Sequence, residues 1–155
     1  MTPNELVAVL EKHERYLDGL NGAVRANLSQ QNISGFVFTA AKLRDAKLTG
    51  AVFNRCIFRS ADLRNTDLFA ADVSDADLSD ADLSGADMRG TYLRGAILKG
   101  ANLHNADLRD GYLLTPNKDE ESVAVRKPGS GGADMRRAVF ENANLSGARF
   151  SQDAI

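Results

Sequence analysis

An apolar residue recurs at every fifth position of this 155-residue chain from Leu28 to Leu113, and the spacing resumes in a shifted register from Met135 to Ile155. The first run reads Leu28, Ile33, Phe38, Leu43, Leu48, Phe53, Phe58, Leu63, Leu68, Val73, Leu78, Leu83, Met88, Leu93, Leu98, Leu103, Leu108 and Leu113, with no polar interruption. Two positions before most of these stands a small residue, as at Ala46, Ala51, Cys56, Ala61, Thr66, Ala71 and onward to Gly111. Side chains two apart share a face only in extended backbone. A five-residue period also drifts around a helix of about 3.6 residues per turn, so a long helix is excluded. The last two positions of each unit carry Ser, Asn, Asp, Gly, Lys or Arg, as in Ser79-Asp80, Ser84-Gly85 and Arg109-Asp110, which suits exposed corners. The pattern predicts an all-β solenoid of short strands and corners. One unit cannot bury its own apolar side chain, so successive coils must stack and share a core.

The ends and one interruption depart from the lattice. Thr2-Pro3-Asn4-Glu5 combines an N-cap, proline at the first helical position and Glu three residues after the cap, which predicts a helix of about four turns. Leu6, Leu10, His13, Leu17 and Leu20 form its apolar stripe, and Gly19 or Gly22 ends it. Its job is to cover the first coil, whose small column is broken by Gln31 and Phe36. From Thr115 to about Gly132 the lattice breaks; Pro116–Glu121 and Lys127–Gly132 read as loop, with Val123 and Val125 able to sit on an edge. The predicted organisation is a capping helix at 1–22, a solenoid at 23–114, an insertion loop at 115–132 and a final coil at 133–155.

Ala76-Asp77-Leu78-Ser79-Asp80, Ala81-Asp82-Leu83-Ser84-Gly85 and Ala101-Asn102-Leu103-His104-Asn105 resemble the A-(D/N)-L-x-x unit of the pentapeptide-repeat family. The stretch with His13, Tyr16, Leu17 and Arg25-Ala26-Asn27-Leu28 is similar to a lead-in found before many bacterial repeats of this kind. The resemblance implies a right-handed, quadrilateral parallel β-helix with four units per coil and an N-terminal α-helical cap. About six coils at roughly 4.8 Å each would give a rod on the order of 25–30 Å long.

With four units per coil, residues twenty apart share a side. One side then carries Val37, Ile57, Asp77 and Ile97, and the next carries Val52, Asp72, Tyr92 and Tyr112. The other two carry Lys42, Asp62, Asp82, Asn102 and Lys47, Asp67, Asp87, Asp107. Val37, Ile57, Ile97, Val52, Tyr92 and Tyr112 are therefore the candidate partner surface, although β-branched and aromatic residues also favour strands for their own sake. Between Asp62 and Asp87 eight aspartates face a single base, Arg64. Asp62, Asp67, Asp77, Asp82, Asp87 and Asp107 are the candidate acidic surface; the plainer account is that Asp at this position serves solubility and corner hydrogen bonds.

A net charge of −2 gives no general basic surface for nucleic acid or an anionic membrane. The sole cysteine, Cys56, falls in the small inward column and reads as core. His13 reads as a ring packed under the cap and His104 as a solvent-facing corner residue. No spacing suggests a catalytic group, a cofactor site or a metal site, so an enzyme is not expected. No secretory leader or apolar span of membrane length stands out, which makes a cytoplasmic location the default expectation.

Two functions remain. The favoured one is a noncatalytic interaction or scaffold module that docks another protein or a further domain of the same polypeptide. The alternative, implied by resemblance to gyrase-protecting members of the family, is a DNA mimic that regulates or protects a type II topoisomerase. Lys42, Arg44, Lys47, Arg55 and Arg59 reverse the charge just before the acidic stretch, which argues against an extended mimic. Phe150 and Ile155 leave a core column open at the C-terminal end. This points to a homodimer through that end, to a few ordered residues sealing the coil, or to further chain beyond it.

Overall fold

The computed structural model describes residues 1–111, 114–116, 122–124 and 133–152. Its coils repeat every twenty residues: Asn27 bridges Lys47, which bridges Asp67, then Asp87, then Asp107, all parallel. The other three sides run Asn32, Val52, Asp72, Tyr92; Val37, Ile57, Asp77, Ile97; and Lys42, Asp62, Asp82, Asn102. Each bridging residue bonds the coil below on both sides of its partner. Lys47 N–H donates to the Ala26 carbonyl at 2.9 Å, and Leu28 N–H donates to the Lys47 carbonyl at 2.8 Å. This is the slanted hydrogen-bond pattern of a parallel ladder.

Corners follow from local chemistry. In most, the N–H of the first residue of the next unit closes a turn on the central apolar carbonyl, as Ala41 N–H does on Phe38 at 3.0 Å, and the residue before it has a positive φ. That position holds Asp45, Asn65, Asp75, Asp80, Asn105 and several glycines, the residues that tolerate the left-handed region.

The central and small columns form one continuous core from Leu28 to Leu108. Near its N-terminal end Phe38 and Phe58 stack with centroids 4.7 Å apart, and Phe53 meets both edge-on. Cys56 is buried, and its thiol donates to the Ile33 carbonyl at 3.0 Å. In the last coil the same column is less covered: Met135, Phe140 and Phe150 are half-buried and Leu145 is 38% exposed.

Helix α1 spans Pro3–Leu17 with Thr2 as N-cap. The Glu5 N–H donates to Thr2 Oγ1 at 3.2 Å and the Thr2 N–H donates to Glu5 Oε2 at 2.6 Å, which completes the capping box. Gly19, at φ +68, ends the helix: its N–H reaches the Tyr16 carbonyl and the Leu20 N–H reaches that of Arg15. This reversal corrects the predicted stripe. Leu6 and His13 are buried, but Leu20 lies past the cap and is exposed.

The insertion begins after β1 (Asp107–Leu108), which pairs in parallel with a strand far along the chain, Arg149–Phe150. Within it, β2 (Leu114–Pro116) pairs antiparallel with β3 (Ser122–Ala124), with Thr115 opposite Val123. Part of the expected loop is thus a short hairpin. The expected edge position of Val125 and the loop at 127–132 lie outside the described residues. Beyond the insertion Asp134 stacks on Tyr92, Val139 on Ile97 and Asn144 on Asn102, and β4 is the Arg149–Phe150 strand. The register shift seen in the sequence therefore preserves all four sides.

Candidate interaction surface

The first apolar side stands outward as a column. Val37 is 66% exposed and Ile97 is 40% exposed, Ile57 between them is half-buried, and Val139 extends the column beyond the insertion at 43%. Asp77 interrupts it, tied to Arg59 at 2.5 Å. On the adjoining side Val52 and Tyr92 are half-buried, and the seat above Tyr92 is taken by Asp134. Tyr112 lies outside the described residues, as does Ile155. Phe150 lies on β4 at the less covered end.

The acidic column has a structural occupation. The Oδ1 of Asp62, Asp67, Asp72, Asp77, Asp82, Asp87, Asp107 and Asp134 each accepts the backbone N–H two residues on, at 3.0–3.3 Å. Asn27, Asn32, Asn102 and Asn144 do the same. These are Asx turns that satisfy a corner amide. The family-like choice between Asp and Asn is thereby explained, since either offers the acceptor oxygen.

Sequence reading missed a second device. Asp62, Asp87, Asp107 and Asp134 each form a two-pronged pair with the arginine two residues later, Arg64, Arg89, Arg109 and Arg136. The signal was present as Asp-Leu-Arg or Asp-Met-Arg, because strand residues two apart face the same way. Arg149 adds a second guanidinium to Asp107 at 2.8 Å. Hydrogen bonds from their arginines hold the carboxyls of Asp62, Asp107 and Asp134 below the usual aspartate range, against a smaller opposing effect of burial. For Asp77 burial pushes upward, but the Ser79 hydroxyl and N–H and Arg59 together outweigh it and leave the carboxyl low.

Arg89 also lies over the Phe69 ring at 5.3 Å, a cation–π contact. Arg89, Arg109 and Arg149 line an open groove with Asp87 and Asp107, three bases against two acids, and each arginine pairs with one of those carboxylates. His104 is exposed at a corner, with Nδ1 2.8 Å from the Ser146 hydroxyl. Among the described residues no group of three or more His, Cys, Asp or Glu is placed to hold a metal ion, and no helix is long and apolar enough to cross a membrane.

The profile of pentapeptide repeats matches residues 24–59, 37–75, 76–111 and 131–152, in eight copies. The chain belongs to the pentapeptide-repeat family. Its coils form the right-handed, square-sectioned β-helix of that family, with α1 docked on the first coil. The chain is similar to a pentapeptide repeat protein of the Arabidopsis thaliana thylakoid lumen, at 26% identity over 69% of this chain and 86% of the other, with a TM-score of 0.41. It is also similar to Rfr23 of the cyanobacterium Cyanothece 51142, at 22% identity over 84% and 88% of the two chains, with a TM-score of 0.44. A third such structure is HetL of Nostoc sp. strain PCC 7120, a protein involved in heterocyst differentiation regulation, at 18% identity over 100% and 99% with a TM-score of 0.34. No curated protein matches the sequence significantly. Pentapeptide-repeat proteins are in general structural or interaction modules.

Proposed function

We propose that this pentapeptide-repeat rod is a noncatalytic docking module that presents the Val37, Ile57, Ile97 and Val139 column to another protein or to a further domain of its own polypeptide. The observation that carries this reading is the exposure of three β-branched residues along one rigid side, repeated at the spacing of the coils. Rigidity favours it, because a preformed side loses little freedom on binding. DNA mimicry is the weaker reading. At least three of the eight aspartates between Asp62 and Asp87 already face an arginine within 2.6 Å.

The two readings separate by charge and salt. Binding through the apolar column is expected to survive high salt and the Asp77→Lys, Asp82→Lys double variant, and to be lost in Ile57→Asp, Ile97→Asp. A charge-driven complex shows the reverse and weakens with screening. Capture of partners at two salt concentrations with these variants, run beside a DNA gyrase supercoiling assay, decides between them. Loss of supercoiling inhibition or of drug protection in the aspartate variant alone would overturn the docking reading.

A second contact is proposed at the less covered last coil, where Leu145, Phe140 and Phe150 would pack against a second copy. Light scattering over a concentration series should show a dimer that Phe140→Arg dissociates. A monomer at all concentrations would remove this contact.

A further inference from the structure

His13 holds the cap on the rod with both ring nitrogens. Its Nδ1 accepts the Ala26 N–H at 3.0 Å, and its Nε2 lies 3.0 Å from the Arg44 carbonyl oxygen. An amide N–H can only donate and a carbonyl oxygen can only accept, so the ring is neutral with its proton on Nε2. It is 0% exposed and stacks on Tyr16 of the same helix, with ring centroids 5.8 Å apart. The first coil and its lead-in supply the other charged neighbours. Asp45 favours a charged ring, Arg25 opposes it, and Arg25 Nε itself donates to the Asp45 carbonyl. Burial is the largest influence and pushes the ring below its ordinary value of 6.5.

Charging the ring places a second N–H at Nδ1, directly against the Ala26 N–H. The two donors cannot share one line, so the contact must open. Besides His13, α1 buries Leu6 and packs Val9 and Leu10 partly against the core, and His13 makes its side-chain hydrogen bonds to the coil. The rod's ladders contain no such dependence. The second histidine of the chain, His104, is exposed on a corner.

We infer that α1 is an acid-released cover: neutral His13 docks it on the first coil, and protonation of Nδ1 frees it while the coils above stay folded. Release uncovers the end of the core that Leu6, Val9 and Leu10 cover; Asn27, Asn32, Val37 and Lys42 of the first coil are exposed already with α1 docked. Because the docked ring binds a proton less readily than the free one, docking is fully favourable above about pH 6.5 and weakens as pH falls below it, by up to about tenfold for each unit.

The test compares amide hydrogen exchange of the full chain at pH 7.5 and pH 5.5, as protection factors corrected for intrinsic rates. At pH 5.5 free carboxylates are still ionised, and hydrogen bonds from Thr2 hold Glu5 lower still, so the capping box keeps its charge. Protection of residues 3–17 and of Ala26 is expected to fall about tenfold, while residues 50–106 stay unchanged. The His13→Gln variant should show equal helix protection at both values. Nitrogen-15 spectra of the two histidines supply an independent reading should that variant fail to fold. The inference is overturned if His13 protonates with α1 still protected, if helix protection is the same at both pH values, or if the whole rod loses protection together.

Discussion

Gly90→Ala tests how the chain leaves its lattice. Gly90 has φ +65, and a Cβ built there would lie 2.2 Å from the Gly111 carbonyl oxygen and 2.7 Å from its carbon. The obstacle is backbone, which cannot swing aside as a side chain does. Gly35 is the matched control: its φ is +78, but a Cβ there meets nothing within 4 Å. Both substitutions pay the left-handed cost of an alanine, about 1–2 kcal/mol. The fold tolerates that cost elsewhere, since Ala40 and Ala70 occupy the same corner position at φ 55 and 52. Gly90→Ala adds the displacement of Gly111, and overpacking of this kind costs a further ~1–3 kcal/mol. Urea unfolding followed by circular dichroism should therefore separate the two variants by ~1–3 kcal/mol, with exchange in residues 133–150 rising first in Gly90→Ala. Equal stabilities within about 0.5 kcal/mol would refute the claim that the Gly111 backbone is held close against Gly90.

Leu83→Ala, in the middle of the core at 0% exposure, should cost ~2–5 kcal/mol in a urea melt, and an unchanged curve would remove Leu83 from the core. Cys56 should resist a water-soluble disulfide reagent in the native protein and react at once in denaturant, because burial both hides the thiol and pushes its pKa up; fast native labelling would contradict its place in the small column. Asp107 is lowered by Arg109 and Arg149, so its contribution is present above the unfolded aspartate value of 3.8 and is lost as pH falls below it. Asp107→Asn keeps an acceptor for the Arg109 N–H but strands two half-exposed guanidinia, which should cost only about 1 kcal/mol at neutral pH, a cost that shrinks as pH falls below 3.8.

Period five carried most of the fold because it fixes two inward positions per unit, and from Leu28 to Leu108 those positions are nearly all buried in the structure. Thr2 through Glu5 made the helix start equally legible, since the capping box is a local hydrogen-bond device. Its far end was less so: Leu20 continues the helical spacing, and only the reversal at Gly19 throws it outward. The hairpin in the insertion could not be foreseen, because the pairing of Thr115 with Val123 depends on the geometry of the intervening chain rather than on a repeating pattern. The apolar side was legible as a list of residues, but Val139 joins it only once the insertion is known to preserve register.

The acidic stretch shows why composition alone misjudged its charge. Counting along the chain from Asp62 to Asp87 finds one base, whereas the coil brings Arg59 onto Asp77 from 18 residues away and pairs Asp87 with Arg89 just outside the counted window. Six of the eight carboxylates, those of Asp62, Asp67, Asp72, Asp77, Asp82 and Asp87, also accept a corner N–H, so their orientation is set by the turn and one oxygen faces the backbone rather than solvent. A phosphate surrogate needs the opposite: carboxylates directed outward, uncompensated and regularly spaced over several coils. Side by side, Lys47, Asp67, Asp87, Asp107 and Arg149 form one face that changes sign at both ends, and two of its three aspartates are clamped by arginine. Such a face is nearly neutral a few ångströms out, where salt already screens single charges. The opposite side, with Val37, Ile97 and Val139 turned to solvent and Asp77 already paired, has no comparable internal compensation for its apolar area. Recognition by this rod is therefore expected to depend on buried area more than on charge, and to be largely insensitive to ionic strength.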